Sequence, residues 1–394
     1  MKSRWLLALS GMSLLAAGLW YLLSNQIRPG QATIQPGTGL RVTEALRGGS
    51  PEGFLRATGP RTFIFPADHG SHPGYRTEWW YFTGNLSAAD GRHYGYQLTF
   101  FRVALVPEPV PRKSRWGAHE VYMAHFALTD VAGKRFYHAE RLSRGALGMA
   151  GSGGDPLKVW LEDWLAEAEA PDPLALRLHA RDGTVAIDLA IRAVKPPVLN
   201  GDRGLSRKGA EPGNASYYYS LPRLATSGTI RIGQETTSVT GLTWMDREWG
   251  TSALGKELVG WDWFALHLDD GRDFMVYLLR KQDGTANPLD SATLVARDGT
   301  ARHLSGKQVQ VQVTGSWQSP VSRVRYPSRW RVQVPGEHLD LEIVPRLAGQ
   351  ELLGTVRYWE GAVQVEGRGG GSPGGTGYVE LTGYEAPGAR TRTE

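Results

Sequence analysis

The sequence predicts an all-β protein in two similar halves, each a barrel or sandwich of short antiparallel strands. Three observations lead there. Fifty Gly and 23 Pro in 394 residues, with aromatics at 10%, describe many strands joined by tight turns and not a helical protein. About eight strand-like runs can be marked in each half, separated by turn residues. One hairpin also occurs twice. An aromatic strand from Trp80 leads into the turn Asp90-Gly91-Arg92, and one from Trp261 leads into Asp270-Gly271-Arg272. Asp-Gly supplies the positive φ that a two-residue hairpin demands. A separation of about 180 residues is too long for a solenoid repeat and suits a duplicated domain.

Residues 1–24 read as an anchor helix or a signal segment. Lys2 and Arg4 precede an uncharged apolar run over residues 5–23, at the lower end of membrane-spanning length. The positive flank keeps the N-terminus in the cytoplasm and sends the body to the periplasm or outer membrane face, anchored or secreted. Residues 25–60, with Gly, Pro and Thr and little periodicity, read as a tether. Residues 61–235 are the first β unit, 236–384 the second, and 385–394 a disordered tail. In the first unit, residues 79–86 form the aromatic strand, and 93–103 alternate as Tyr94, Tyr96, Leu98 and Phe100 on one face. Further strands fall near 121–129, 135–141, 158–164, 175–180 and 185–194. A polar loop over 195–214 separates them from strands near 228–232 and 238–245. The second unit continues with strands near 292–296, 309–313, 329–334, 339–344, 354–366 and 377–383. An eight-stranded up-and-down barrel has room inside for one small ligand.

Several function classes drop out. Basic and acidic residues are nearly balanced at 44 to 39 with no Lys/Arg block, so no nucleic-acid footprint exists. With no cysteine there is no disulfide, thiolate metal site or cysteine nucleophile. No Gly-x-Ser-x-Gly elbow occurs, and the glycine-rich residues 367–377 lack the Lys and helix of a phosphate loop.

Two stretches concentrate reactive residue types. The first holds Asp68, His69 and His72, followed by Glu78-Trp79-Trp80-Tyr81. The second holds Trp244, Asp246, Glu248, Trp249, Trp261 and Trp263. A carboxyl group in a Trp-lined pocket loses solvation of its charged form, so its pKa rises and it can protonate a substrate. Indole faces then stabilise a developing cation, by about 0.5–2 kcal/mol per contact. Against this stands a solvated turn at residues 246–248. Asp68, His69 and His72 form a candidate polar or metal cluster. Their spacing is not His-Glu-x-x-His and lies in a loop, so they read first as loop-bonding residues, and neither metal nor cofactor is assigned. His125, in an apolar strand, is either a satisfied interior histidine or a residue that positions water.

These motifs resemble one family. Phe65-Pro-x-Asp68-His69-x-x-His72-Pro, Glu78-Trp-Trp-Tyr81-x-x-Gly84, Ala124-His125-Phe-Ala-x-Thr129-Asp130, Trp244-x-Asp246-x-Glu248-Trp249-Gly250 and Gly260-Trp261-Asp-Trp263 are similar to the AttH and carotenoid 1,2-hydratase (CrtC) family, also called predicted secreted hydrolases. The resemblance spans residues 61–383. It implies two consecutive lipocalin-like barrels and a lipophilic, isoprenoid- or lipid-like ligand. It also implies Asp246 as the acid that protonates a terminal double bond before water captures the cation. Trp244 stands where the hydratases carry Tyr. Glu248 or His125 would position water, and Glu78, Trp79, Trp80, Tyr81, Trp244, Trp249, Trp261 and Trp263 would line the ligand. The AttH branch implies instead a non-catalytic accessory of an ABC-type export system. A metal-dependent hydrolase working through His69 and His72 is the third alternative.

Overall fold

Strand follows strand from Thr77 onward. The structure, a computed structural model, describes residues 40–41, 51–108, 114–153, 156–171, 174–251, 254–255, 257–369 and 371–384. The expected anchor at 1–24 and tail at 385–394 lie outside them. Among the described residues no helix is long and apolar enough to cross a membrane.

The first sheet contains β1 (Thr77–Ala88), β2 (His93–Ala104), β3 (Glu120–Asp130), β4 (Arg135–Arg144), β5 (Ala150–Gly153) and β6 (Lys158–Leu161). It continues with β7 (Trp164–Pro171), β8 (Leu174–Asp182), β9 (Val185–Ala193), β10 (Ala215–Ile232) and β11 (Glu235–Gly250). Its order is β4-β3-β2-β1-β11-β10-β9-β8-β7-β6-β5, so the last long strand closes on the first. Edge strand β4 curls back against β6, and the sheet forms a nearly closed barrel.

The second sheet contains β12 (Leu258–Leu268), β13 (Asp273–Lys281), β14 (Ser291–Val295), β15 (Ala301–Ser305) and β16 (Gln310–Gln318). It continues with β17 (Arg325–Val334), β18 (Leu339–Pro345), β19 (Glu351–Leu353), β20 (Val356–Gly367) and β21 (Gly375–Leu381). Ordered β15-β14-β13-β12-β21-β20-β18-β17-β16, with β19 beside β20, it forms a half-barrel. The all-β, two-barrel expectation holds.

The duplicated hairpin is real and built twice from the same contacts. In β1–β2, Asp90 accepts the Arg92 backbone N–H at 3.0 Å and its Nε–H at 2.8 Å. In β12–β13, Asp270 does the same for Arg272 at 3.0 and 2.8 Å. Gly91 and Gly271 sit at φ +86° and +87°, where a side chain would be strained.

Two boundaries move. The change of sheet falls between Gly250 and Leu258 and not at 235/236. The run from Glu235 pairs with β10 and, from Val239 to Gly250, with the whole of β1, and so completes the first barrel. The expected tether is already packed before residue 60. Phe54 and Ala57 are buried, Thr251 Oγ1 donates to the Leu55 carbonyl, and Tyr217 Oη donates to the Gly59 carbonyl at 2.9 Å.

Each barrel is filled. Trp80, Phe82, Leu98, Phe100 and Trp164 occupy the first interior, and Phe264, Trp330, Val332, Leu341 and Trp359 the second. Each such side chain contributes about 1.5–3 kcal/mol of burial. The space inside the barrels is therefore taken up by side chains. A third apolar cluster, including Tyr81, Trp244, Trp263 and Tyr378, lies between the sheets. There the backbones come close. A Cβ on Gly95 would sit 2.4 Å from that of Ala362, and Asn85 Nδ2 donates to the Gly377 carbonyl at 2.8 Å.

Candidate functional site at the junction of the sheets

Side chains alternate across a strand, so β11 sorts its residues into two sets. Arg247 and Trp249 point into the first barrel, while Trp244, Asp246 and Glu248 point out toward the second sheet. In register, Asp246 lies between Tyr81 and Ser220, and Glu248 between Trp79 and Tyr218.

The outward set opens on a cavity of about 220 Å³ between the sheets. Trp79, Tyr218 and Phe101 supply its wall on the first barrel, and Trp261, Trp263 and Tyr277 its wall on the second. Asp246 and Glu248 face it from β11, and Glu380 faces it from β21. Most of the surface is apolar, which is the form of a site for a small, largely apolar molecule.

Asp246 is 4% exposed and saturated with donors. Ser220 Oγ and Trp244 Nε1 donate to its Oδ1 at 2.5 and 2.7 Å, and Tyr218 Oη to its Oδ2 at 2.5 Å. Trp263 Nε1 in turn donates to Tyr218 Oη at 3.2 Å. Burial pushes the Asp246 carboxyl up to about 6, against the pull of Ser220, Tyr218 and Trp244 and with the help of the Glu248 charge. Glu248 accepts from Ser216 Oγ and lies 3.0 Å from Lys208 Nζ. Lys208 stands 4.2 Å from the centroid of the Tyr277 ring. Burial works against its charge, but Glu248 and Tyr277 hold its pKa above the usual lysine value.

The polar cluster of the opening stretch lies elsewhere. Glu78 points inward, 2.5 Å from Arg247 and 2.8 Å from Arg102. Burial would raise its pKa, but Arg247, the His72 hydrogen bond and Arg102 hold it down at about 2. His72 bridges Asp68 at 3.1 Å and Glu78 at 3.3 Å, and its ring stacks on Trp249 at 3.7 Å and 5°. His69 Nδ1 lies 2.6 Å from Tyr219 Oη. Burial and the Arg247 charge lower its pKa to about 4. Asp68 also holds Arg61 at 2.8 Å. These residues form an ion-pair network that closes one end of the first barrel. Among the described residues no group of three or more His, Asp or Glu is set to hold a metal ion.

Of the residues expected to line a ligand, Trp79, Tyr81, Trp261 and Trp263 border the cavity. Glu78, Trp80 and Trp249 face the barrel interior, and Trp244 lies beneath Asp246 as its donor. Asp246, Glu248 and His125 also border the cavity. Both nitrogens of His125 are engaged, Nδ1 with Tyr358 Oη at 2.6 Å and Nε2 with Glu140 at 3.0 Å. Sequence reasoning missed Lys208, Tyr218, Glu360 and Glu380. Glu380 carried one faint signal, a lone acid in the strand Gly375–Leu381.

Known proteins resemble this chain in sequence and fold. The dehydratase asqC of Emericella nidulans is 27% identical over 192 residues, 46% of this chain and 52% of that protein. The kievitone hydratase of Fusarium solani subsp. phaseoli is 24% identical over 198 residues, 48% of this chain and 55% of that protein. The chain thus spans about half the length of these curated relatives. A crystal structure assigned to AttH from Nitrosomonas europaea superposes with TM-score 0.76 at 33% identity, covering 84% of this chain and all of that one. Kievitone hydratase from Nectria haematococca shares the fold, with TM-score 0.63 at 17% identity over 84% of this chain and 95% of that one. The AttH-like family model matches residues 56–384, and the chain belongs to that family.

Proposed function

We propose that the protein adds water to, or eliminates it from, a carbon–carbon double bond of an apolar substrate held between the sheets, with Asp246 as an acid–base residue. One observation carries this reading. Asp246 is a buried carboxyl group facing an aromatic cavity, with a pKa raised to about 6, where both protonation states are within reach near neutrality.

The chemistry needs little more. A proton joins one alkene carbon and leaves a cation at the other. Trp79, Trp261 and Trp263 offer indole faces to that charge. Water attacks the cation and gives its second proton to an ionised carboxylate, and elimination runs the same steps in reverse. Glu248, fixed by Ser216 and Lys208, is placed to orient the water. A dehydratase and a hydratase among the relatives support this class of reaction. The apolar run at residues 5–23 supports an envelope location, which protease accessibility in intact and opened cells tests.

The function is tested by incubating the full chain with terminal isoprenoid alkenes and the matching tertiary alcohols in ¹⁸O-labelled water. Label in the alcohol, lost in Asp246→Asn, is the expected result. Turnover that survives Asp246→Asn, or no turnover on any member of the set, counts against the reading.

A further inference from the structure

Water addition by this route needs two proton-handling groups, one neutral while the other is ionised. We propose that Glu380, kept protonated beside its cross-strand partner Glu360, is the acid that protonates the substrate, and that Asp246, across the cavity, is the ionised partner that takes the proton of water. The assignment rests on the function proposed above and reverses the role expected for Asp246.

The geometry of the two sides differs. Glu360 on β20 and Glu380 on β21 are direct cross-strand partners, so their side chains leave the same face of the sheet. Directly opposed residues in an antiparallel pair have Cβ atoms about 4.5–5.5 Å apart, and like charges there are destabilising. Glu360 is buried. Tyr81 Oη donates to one of its oxygens, and its other oxygen has no protein partner. The cation bordering the same cavity, Lys208, is 3.0 Å from Glu248. Two carboxyl groups so placed, with no cation paired to them among the described residues, resist ionisation, and the neutral acid keeps its proton. Glu380 borders the cavity and presents that proton to a bound molecule.

Asp246 is the opposite case. Three donors reach its two oxygens, the arrangement that favours a carboxylate over a neutral acid.

The groups facing Glu380 agree with this split. Asp246 and Glu248 on β11, Tyr81 on β1, Tyr277 on β13, and Tyr358 and Glu360 on β20 surround it, and Trp261 on β12 donates to it. Burial first, then the Asp246 charge, pushes Glu380 up to about 8, while Asp246 lies at about 6. Burial and Glu380 raise Glu360 further, against Tyr81 and Tyr358. Between those values one side is charged and the other neutral. Glu380 gives its proton to the alkene carbon, and water bonds to the cation. Asp246 then accepts the water proton, and proton exchange with solvent resets both carboxyl groups. In elimination, protonated Asp246 assists the leaving hydroxyl and ionised Glu380 takes the proton from carbon.

Infrared titration of the full chain tests the protonated pair without any substrate. A protonated-carboxyl band is expected at pH 7, retained in Asp246→Asn and Asp262→Asn and absent from the double variant Glu360→Gln/Glu380→Gln. Its absence from the wild type, or its survival in the double variant, overturns the proposal. Activity in the labelled-water assay tests the role. Glu380→Gln is expected to lower kcat by about 10²–10⁴-fold with KM little changed, and to remove the alkaline limb of the pH profile. Loss of activity in Asp246→Asn with full activity in Glu380→Gln overturns this proposal and leaves the function standing. Activity retained in Asp246→Asn overturns the function on which the proposal rests, while the infrared result still decides whether the pair is protonated.

Discussion

Two faces of one strand carry opposite chemistry. On the inner face of β11, Arg247 meets Glu78 at 2.5 Å, and its guanidinium carbon lies 3.9 Å from the centroid of the Trp80 ring. On the outer face, one residue away, Asp246 meets only neutral donors. Both carboxyl groups are buried. The inner one is held down at about 2 because two guanidinium groups offset its desolvation, whereas the outer one is pushed up to about 6 because no cation does. Burial penalises charge in both places, and the partner decides the sign. A carboxyl group locked in one state serves structure, and one left near neutrality serves proton transfer.

The largest expected effect breaks the inner pair. Arg247→Met leaves the buried Glu78 charge with Arg102 alone and should cost about 3 kcal/mol of stability, as breaking a buried pair does. Asp246→Asn, at the neighbouring position, removes a charge that the fold does not compensate. It should leave the urea midpoint within about 1 kcal/mol of wild type while abolishing turnover. Equal stability losses in the two variants would end the distinction between the faces.

Acid provides the next test. Glu78 is held below its unfolded value, so the folded protein binds fewer protons there. Its contribution is full above about 4.5 and is lost as the pH falls toward about 2, a loss of roughly 3 kcal/mol. Asp246 runs the other way. Its raised value gives a contribution that is fully present below about 3.8 and lost as the pH rises through about 6. Glu78→Gln should therefore flatten the acid side of the stability curve, and Asp246→Asn the segment between about 4 and 6, in denaturant titrations run across pH.

A smaller change acts on the barrel end. His72→Ala removes the ring that stacks on Trp249 and bridges Asp68 to Glu78. A loss of about 1–3 kcal/mol is expected, with kcat unchanged because His72 does not border the cavity. A fall in kcat at unchanged stability would give the cluster of the opening stretch a role in catalysis.

How much of this was legible in the sequence follows from what each signal depends on. The repeated Asp-Gly-Arg hairpin was legible because turn chemistry is local: Gly91 and Gly271 need their positive φ, and Arg92 and Arg272 bond the same neighbour. Asp246 was legible as an acid among tryptophans. Which tryptophans would surround it was not. Period-2 alternation separates Trp79 from Trp80 and Trp244 from Trp249, but only the docking of the second sheet decides which set faces a cavity. Glu380 and Lys208 reach Asp246 and Glu248 from distant parts of the chain, and no local pattern announces such a meeting. Whether a barrel interior is hollow or filled was not legible for a related reason. Trp80, Phe100 and Trp164 are equally good as lining and as filling until their packing is known.

The finest test touches the donors alone. Ser220→Ala removes the 2.5 Å hydrogen bond to Asp246 Oδ1 but leaves Trp244 on that oxygen and Tyr218 on the other. The lost bond favoured the charged carboxylate, so the Asp246 pKa should rise above about 6. If Asp246 works ionised, opposite a neutral Glu380, the acid limb of the kcat/KM profile moves up in pH, and activity at pH 6 falls while that at pH 7.5 is nearly kept. If Asp246 works protonated, the same substitution extends activity toward higher pH. The direction of movement in this one variant, whose stability should change by about 1 kcal/mol at most, separates the two assignments without disturbing either carboxyl group.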